Sequence, residues 1–155
     1  MAHFEMRPFS TAEAEMIALW ARTPDDLRHL EPGVEFPLTA DQIAAWVFQA
    51  NFAFTLRRDG DLVAYGEILE DEVAGDVEIQ HVLVAPDVRH SGIGKALVSR
   101  LCAFLAAARP YPDVWLRAGR DNPTIACCAR ALGFAEVPEM SGERFLWLQK
   151  ALHEL

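Results

Sequence analysis

The residues best suited to chemistry fall in one stretch, Val77 to Leu97, which reads VEIQHVLVAPDVRHSGIGKAL. A β-rich apolar run stops at Pro86. Arg89, His90, Ser91, Gly92, Ile93, Gly94 and Lys95 follow, and from Gly92 the apolar spacing changes from two to about 3.6 residues, the mark of a strand leading into a helix. Glycines let a ligand approach the backbone closely. The first turn of a helix carries N–H groups without internal partners, at the positive end of the helix dipole. With Arg89, His90 and Lys95 beside them, these features predict an anion site. Two familiar phosphate loops do not fit. A Walker A loop needs glycine where Arg89 stands, and a dinucleotide GxGxxG needs glycine where Leu97 stands.

Glu78 lies on the same predicted strand, eleven residues before Arg89. A carboxylate there could take a proton from a substrate. His81 is expected to be a hydrogen-bonded core or interface histidine. The three cysteines, Cys102, Cys127 and Cys128, form no CxxC and no Cys/His metal spacing. An odd count with two adjacent cysteines fits a reducing, cytoplasmic setting better than a disulfide framework. No metal is expected.

With 14 Lys and Arg against 23 Asp and Glu, the formal net charge is −9. That balance disfavours nucleic acid and favours cationic partners. No apolar run reaches the roughly 18 residues of a membrane span, so no membrane association is expected. Length and composition suit one globular domain over residues 1–155. A homodimer is left open.

The elements around the chemical stretch can be read in order. Phe4 to Phe9 can form a strand. Ser10 to Glu13 is a capping box, and Ala12, Met16, Leu19 and Trp20 recur at helical spacing in a helix ended by Pro24 and Asp25. Glu31 to Leu38 reads as a loop. Thr39 to Gln42 caps a second helix with Ile43, Trp46, Val47 and Ala50 as its stripe; Trp20 and Trp46 are expected in the core. Phe52 to Leu56 runs into Asp59-Gly60, a strong hairpin signal, and Leu62 to Leu69 returns. Glu70, Asp71, Glu72 and Asp76 read as a solvated turn. The long helix after Gly92 has Leu97, Leu101, Phe104, Leu105 and Ala108 as its stripe and is broken by Pro110 and Pro112. A strand from Val114 to Ala118 follows. A helix capped by Asn122 with Pro123 first and Gly133 past its end comes next, and a strand from Arg144 to Leu148 closes the chain. This order predicts an α/β fold: a mixed sheet of about six or seven strands with an antiparallel front half and about four flanking helices.

Arg89-x-x-Gly92-x-Gly94, the preceding run Val82 to Pro86, and Asn122 with Leu132-Gly133-Phe134 occur in the order seen in the GNAT N-acetyltransferase superfamily, and the chain resembles that family over nearly its whole length. The resemblance implies acetyl-CoA as co-substrate and direct attack of an amine, on a small molecule or a protein, upon the thioester. It places Val82, Leu83 and Val84 along the pantetheine arm, Arg89 to Lys95 around the diphosphate, and Asn122 at the cofactor. An N–H near Leu83 or Val84 would face the thioester oxyanion. Glu78 matches the catalytic glutamate of the histone-acetyltransferase branch. The base position of the ribosomal-protein branch holds Arg117, and the frequent general-acid tyrosine is replaced by Ala129. The segments Arg22 to Thr39 and Pro138 to Gly142 would line the acceptor side. Neither a metal nor an acyl-enzyme is expected. The alternative is the same fold kept as an acyl-CoA-binding sensor without turnover.

Overall fold

A computed structural model describes residues 2–120 and 123–153. Strand β1 (Phe4–Pro8) leads through a 3-10 turn (Thr11–Glu13) into α1 (Ala14–Ala18); α2 (Pro24–Leu30) and α3 (Ala40–Gln49) follow. Three strands come next, β2 (Phe52–Arg58), β3 (Asp61–Asp71) and β4 (Asp76–Val84). Then come α4 (Ile93–Ala108), β5 (Asp113–Gly119), α5 (Pro123–Ala131), β6 (Ala135–Glu136) and β7 (Phe145–Ala151). The seven strands form one sheet in the order β1-β2-β3-β4-β5-β7-β6, antiparallel except where β4 meets β5. The expected α/β sheet with an antiparallel front half is therefore what forms. The two-residue β6 was not anticipated; it has too few residues to show a period.

Local signals account for most boundaries. The Glu13 carboxylate accepts from the Ser10 N–H, and Thr39 Oγ1 accepts from the Gln42 N–H. Asp59 and Gly60, with φ of 51° and 91°, make the tight hairpin turn. Two expectations fail. Pro24 does not simply end a helix; it opens α2, where Thr23 caps the Asp26 N–H and proline sits in the first turn. The inward face of α1 is Ala14, Ile17 and Ala18, whereas Ala12, Met16 and Leu19 are exposed. The first helical turn is 3-10, and α1 is only five residues long, so its phase follows the packing rather than a long apolar stripe.

One face of the sheet is covered by α4, with Leu97, Leu101 and Leu105 fully buried against Ile68, Ile79, Val114 and Leu116; Ala108, at the helix end, is exposed. The other face is covered only in part, by α1 to α3, in a second core that holds Trp20, Trp46, Ile43, Tyr65 and Leu83. Glu70 departs from its expected solvated position. Its carboxylate pairs with Arg109 at 3.0 Å and accepts from the Tyr111 hydroxyl at 2.9 Å, while Asp71, Glu72 and Asp76 are exposed as expected.

Candidate active site

The middle of β4 is irregular. Tyr65 pairs with Leu83 but Glu67 pairs with Gln80, so β4 spends one residue more than β3 between these two pairs, a β-bulge. His81 in the bulge has φ of 50°, a left-handed conformation uncommon outside glycine. The extra residue exchanges the two faces of the strand. Before it, Val77 and Ile79 join the α4 core; after it, Val82 and Val84 pack on that side and Leu83 joins the α1–α3 core. Gln80 and His81 consequently address the same buried carboxylate. Glu67 is fully buried; it accepts from the Tyr65 hydroxyl and from Gln80 Nε2 at 3.0 Å, and His81 Nδ1 lies 2.8 Å from its Oε1. Burial and the adjoining Glu67 push the Tyr65 hydroxyl's pKa up, so it stays a donor.

His81 is also stacked on Trp46, with ring centroids 3.9 Å apart. It is the hydrogen-bonded, buried histidine expected, but its other nitrogen is not lost in the core. Nε2 lies 3.8 Å from Glu31 Oε1, and Glu31 in turn pairs with Arg117 at 3.1 Å. Nothing in the sequence marked Glu67 or Glu31 as partners, because both contacts cross between elements far apart in the chain.

Strands β4 and β5 pair only at Glu78–Trp115 and Ile79–Leu116. Beyond that point lies a cleft of about 410 Å³, bordered by Val82, Leu83 and Val84, by Arg89, His90, Gly92, Ile93 and Gly94, and by residues of α2 and α5. The loop and helix start are built as their residues suggest. Gly92 caps α4 at φ of 83°, and a Cβ there would meet open space. A Cβ on Gly94 would make only ordinary contacts with Val84 and Cys128. Arg89 borders the cleft, but its guanidinium is tied to the Trp20 carbonyl at 2.7 Å, the Val84 carbonyl at 3.2 Å and Asp26 at 3.6 Å. It holds the loop against the connection after α1, against α2 and against β4. Ser91 and Lys95 are exposed and are not among the described residues lining the cleft. Asn122 lies outside the described residues.

Glu78 borders a narrow space of about 50 Å³ together with Gln80, His81, Arg117 and Leu116; His29, Leu30, Val82 and Ile125 are common to this space and the cleft. Burial raises the Glu78 carboxyl above its ordinary range, against the lowering influence of Arg117 and His81 and with Glu31 adding to the rise. A carboxylate that binds a proton more readily than usual thus lines a space that shares a wall with the cleft beside the glycine-opened helix.

A family model described as the acetyltransferase (GNAT) family matches residues 14–134. The chain belongs to this family. No curated protein matches it in sequence. Solved structures resemble the GNAT chain in fold. A domain from Methanocaldococcus jannaschii has a TM-score of 0.80 at 15% identity, covering 97% of this chain and 99% of that one. A Salmonella typhimurium protein solved with acetyl-CoA as its cofactor scores 0.70 at 18% identity, over 98% and 95% of the two chains. A ribosomal-protein alanine N-acetyltransferase from Escherichia coli scores 0.72 at 17% identity, over 99% and 96%. The GNAT match spans every element from α1 to α5, including the bulged strand and the glycine loop. Among the described residues no cluster of three or more His, Cys, Asp or Glu could hold a metal, and no helix is long and apolar enough to cross a membrane.

Proposed function

We propose that the protein transfers an acetyl group from acetyl-CoA to an amine by direct attack on the thioester. The observation that carries this reading is the adjacency of the cleft beside Gly92 and Gly94 to the narrow space holding Glu78, which share His29, Leu30, Val82 and Ile125 as lining. The residues fit the co-substrate. The N–H groups of the first turn of α4, opened by Gly92, would receive the diphosphate, with His90 beside it. The strand segment Val82 to Val84 would run alongside the pantetheine arm, and an N–H near Leu83 or Val84 would stabilise the oxyanion.

In this reading Glu78 takes the proton from the acceptor's ammonium, which must be neutral to attack. Removing a general base typically costs about 10²–10⁴-fold in rate. Glu78→Gln should lower kcat by that order, leave acetyl-CoA affinity nearly unchanged and move the optimum to higher pH, where more amine is already neutral. A pH–rate profile with a thiol-detecting readout tests this; a Glu78→Gln profile that overlays the wild type removes Glu78 from the role.

A second assignment is favoured by one observation, the 2.8 Å contact between His81 and Glu67. With Glu67 accepting from Tyr65 and Gln80, a donating His81 Nδ1 would leave a lone pair on Nε2, 3.8 Å from Glu31 Oε1. His81→Asn keeps a side chain tolerant of the left-handed backbone but removes that lone pair. If this variant, rather than Glu78→Gln, loses the acid limb of the profile, His81 is the base.

A further inference from the structure

The part of the sheet left uncovered by α1 to α3 carries a third cavity, of about 220 Å³. Its wall is apolar and aromatic: Leu69, Trp115 and Trp147, with Met140 from the short turn Pro138–Met140 at its rim. The two indoles are half-buried and meet edge to face, with centroids 6.1 Å apart. Trp115 stands opposite Gln149, and Trp147 opposite Arg117, so the indoles are diagonal neighbours on one face of β5 and β7. Every charged group among the described lining residues is a carboxylate: Asp71 and Asp76 at the exposed turn, and Glu78. Glu78 lines both this cavity and the narrow space beside the cleft.

We propose that this cavity holds the body of the acceptor, and that the acceptor is a small primary amine bearing an apolar group of about one ring. The proposal rests on the acetyl-transfer reading above and deepens it. Three observations converge. The volume suits a single ring with a short arm, since an apolar cavity of about 150 Å³ accommodates benzene. The wall favours an apolar or aromatic body, because indole faces and a methionine thioether attract aromatic groups and cations alike. The carboxylates select a cation and disfavour an acceptor with its own carboxylate nearby. With the apolar body on Trp115 and Trp147, the ammonium lies at Glu78, the lining residue this cavity shares with the narrow space. The exposed Asp71 and Asp76 act at longer range, drawing the cation to the mouth.

The test compares 2-phenylethylamine, ethanolamine and phenylalanine as acceptors, following thiol release from acetyl-CoA, together with tryptophan fluorescence during titration with 2-phenylethylamine. The expected kcat/KM for 2-phenylethylamine exceeds the other two by about ten-fold or more. Trp147→Ala should cut that value by a similar factor with little change for ethanolamine, Trp147→Phe should restore much of it, and Met140→Ala, at an exposed rim position, should give a smaller loss with the fold undisturbed. Equal use of 2-phenylethylamine and ethanolamine, or an equal loss for both in Trp147→Ala, would overturn the assignment while leaving acetyl transfer standing. Saturable quenching that Trp147→Ala abolishes, with no amine turned over, would support the subsite and overturn the transfer reading. Neither quenching nor turnover of the ring-bearing amine overturns the subsite.

Discussion

At the scale of single residues, Glu78 and the cysteines make separable predictions. Because burial holds the Glu78 carboxyl above its unfolded value, the folded protein binds that proton more tightly than the unfolded chain. Its contribution to stability is therefore most favourable at low pH and declines as pH rises from the ordinary carboxylate range through the raised folded value. Glu78→Gln, which cannot ionise, should melt at a higher temperature than the wild type at neutral pH, and the difference should vanish below about pH 4. Scanning calorimetry of both proteins across pH checks this, and a constant difference at every pH would contradict it. Burial also pushes the Cys102 thiol up to about 11, and burial with the neighbouring Cys127 raises Cys128. Cys128 borders the cleft, yet a thiol held protonated there is a poor nucleophile. Cys128→Ser should retain turnover; a loss beyond about 100-fold in a folded variant would point instead to a covalent intermediate.

At the scale of elements, the proposed diphosphate site depends on how α4 begins. Gly92 caps the helix in a left-handed conformation that costs an ordinary residue roughly 1–2 kcal/mol. Gly92 also borders the cleft. Gly92→Val should therefore weaken acetyl-CoA by about ten-fold or more, each ten-fold corresponding to about 1.4 kcal/mol. Gly94→Ala, whose added methyl meets Val84 and Cys128 at 3.7 and 3.8 Å, should keep the fold and lose less. Isothermal titration calorimetry of both variants reads the difference directly. Wild-type affinity in Gly92→Val would move the diphosphate away from this loop. The bulge in β4 is the second decisive element. By exchanging the faces of the strand it puts Val82 and Val84 on the same side as Val77 and Ile79 and turns both Gln80 and His81 to Glu67, placements that a regular strand could not supply together.

For the molecule as a whole, the helix whose start borders the cleft is seated tightly on the sheet. Gly66 lies on β3 across from the bulge, and a Cβ there would come within 3.1 Å of Leu97 and 3.2 Å of Leu101, both fully buried. Those methyl groups are wedged between helix and strand and have little room to yield. Gly66→Val should destabilise the fold by about 1–3 kcal/mol, the usual range for overpacking. Since the start of α4 is also the proposed diphosphate site, acetyl-CoA affinity should fall in parallel. Denaturant midpoints and titration calorimetry on one preparation test both parts. An unchanged midpoint would contradict this close packing of helix on strand.

Read alone, the sequence determined what local rules determine. The capping residues Ser10 and Thr39, the Asp59-Gly60 turn, the change of period at Gly92 and the stop at Pro86 each act within a few residues of chain, and each stands where it was read. The glycine loop was legible for the same reason, since its chemistry is carried by adjacent residues. Only the tertiary structure decided which way side chains face. Val77 to Ala85 is apolar at positions of both parities, so no alternation reveals the bulge or the side on which His81 emerges. Five-residue α1 has apolar candidates on two faces, and packing against α3 chose Ile17 over Met16. Glu70 was drawn from an acidic turn to Arg109 and Tyr111, and Trp115 and Trp147 became neighbours through the register of β5 with β7. These outcomes depend on contacts between residues distant in the chain, and within the sheet a one-residue change in strand register reverses the faces.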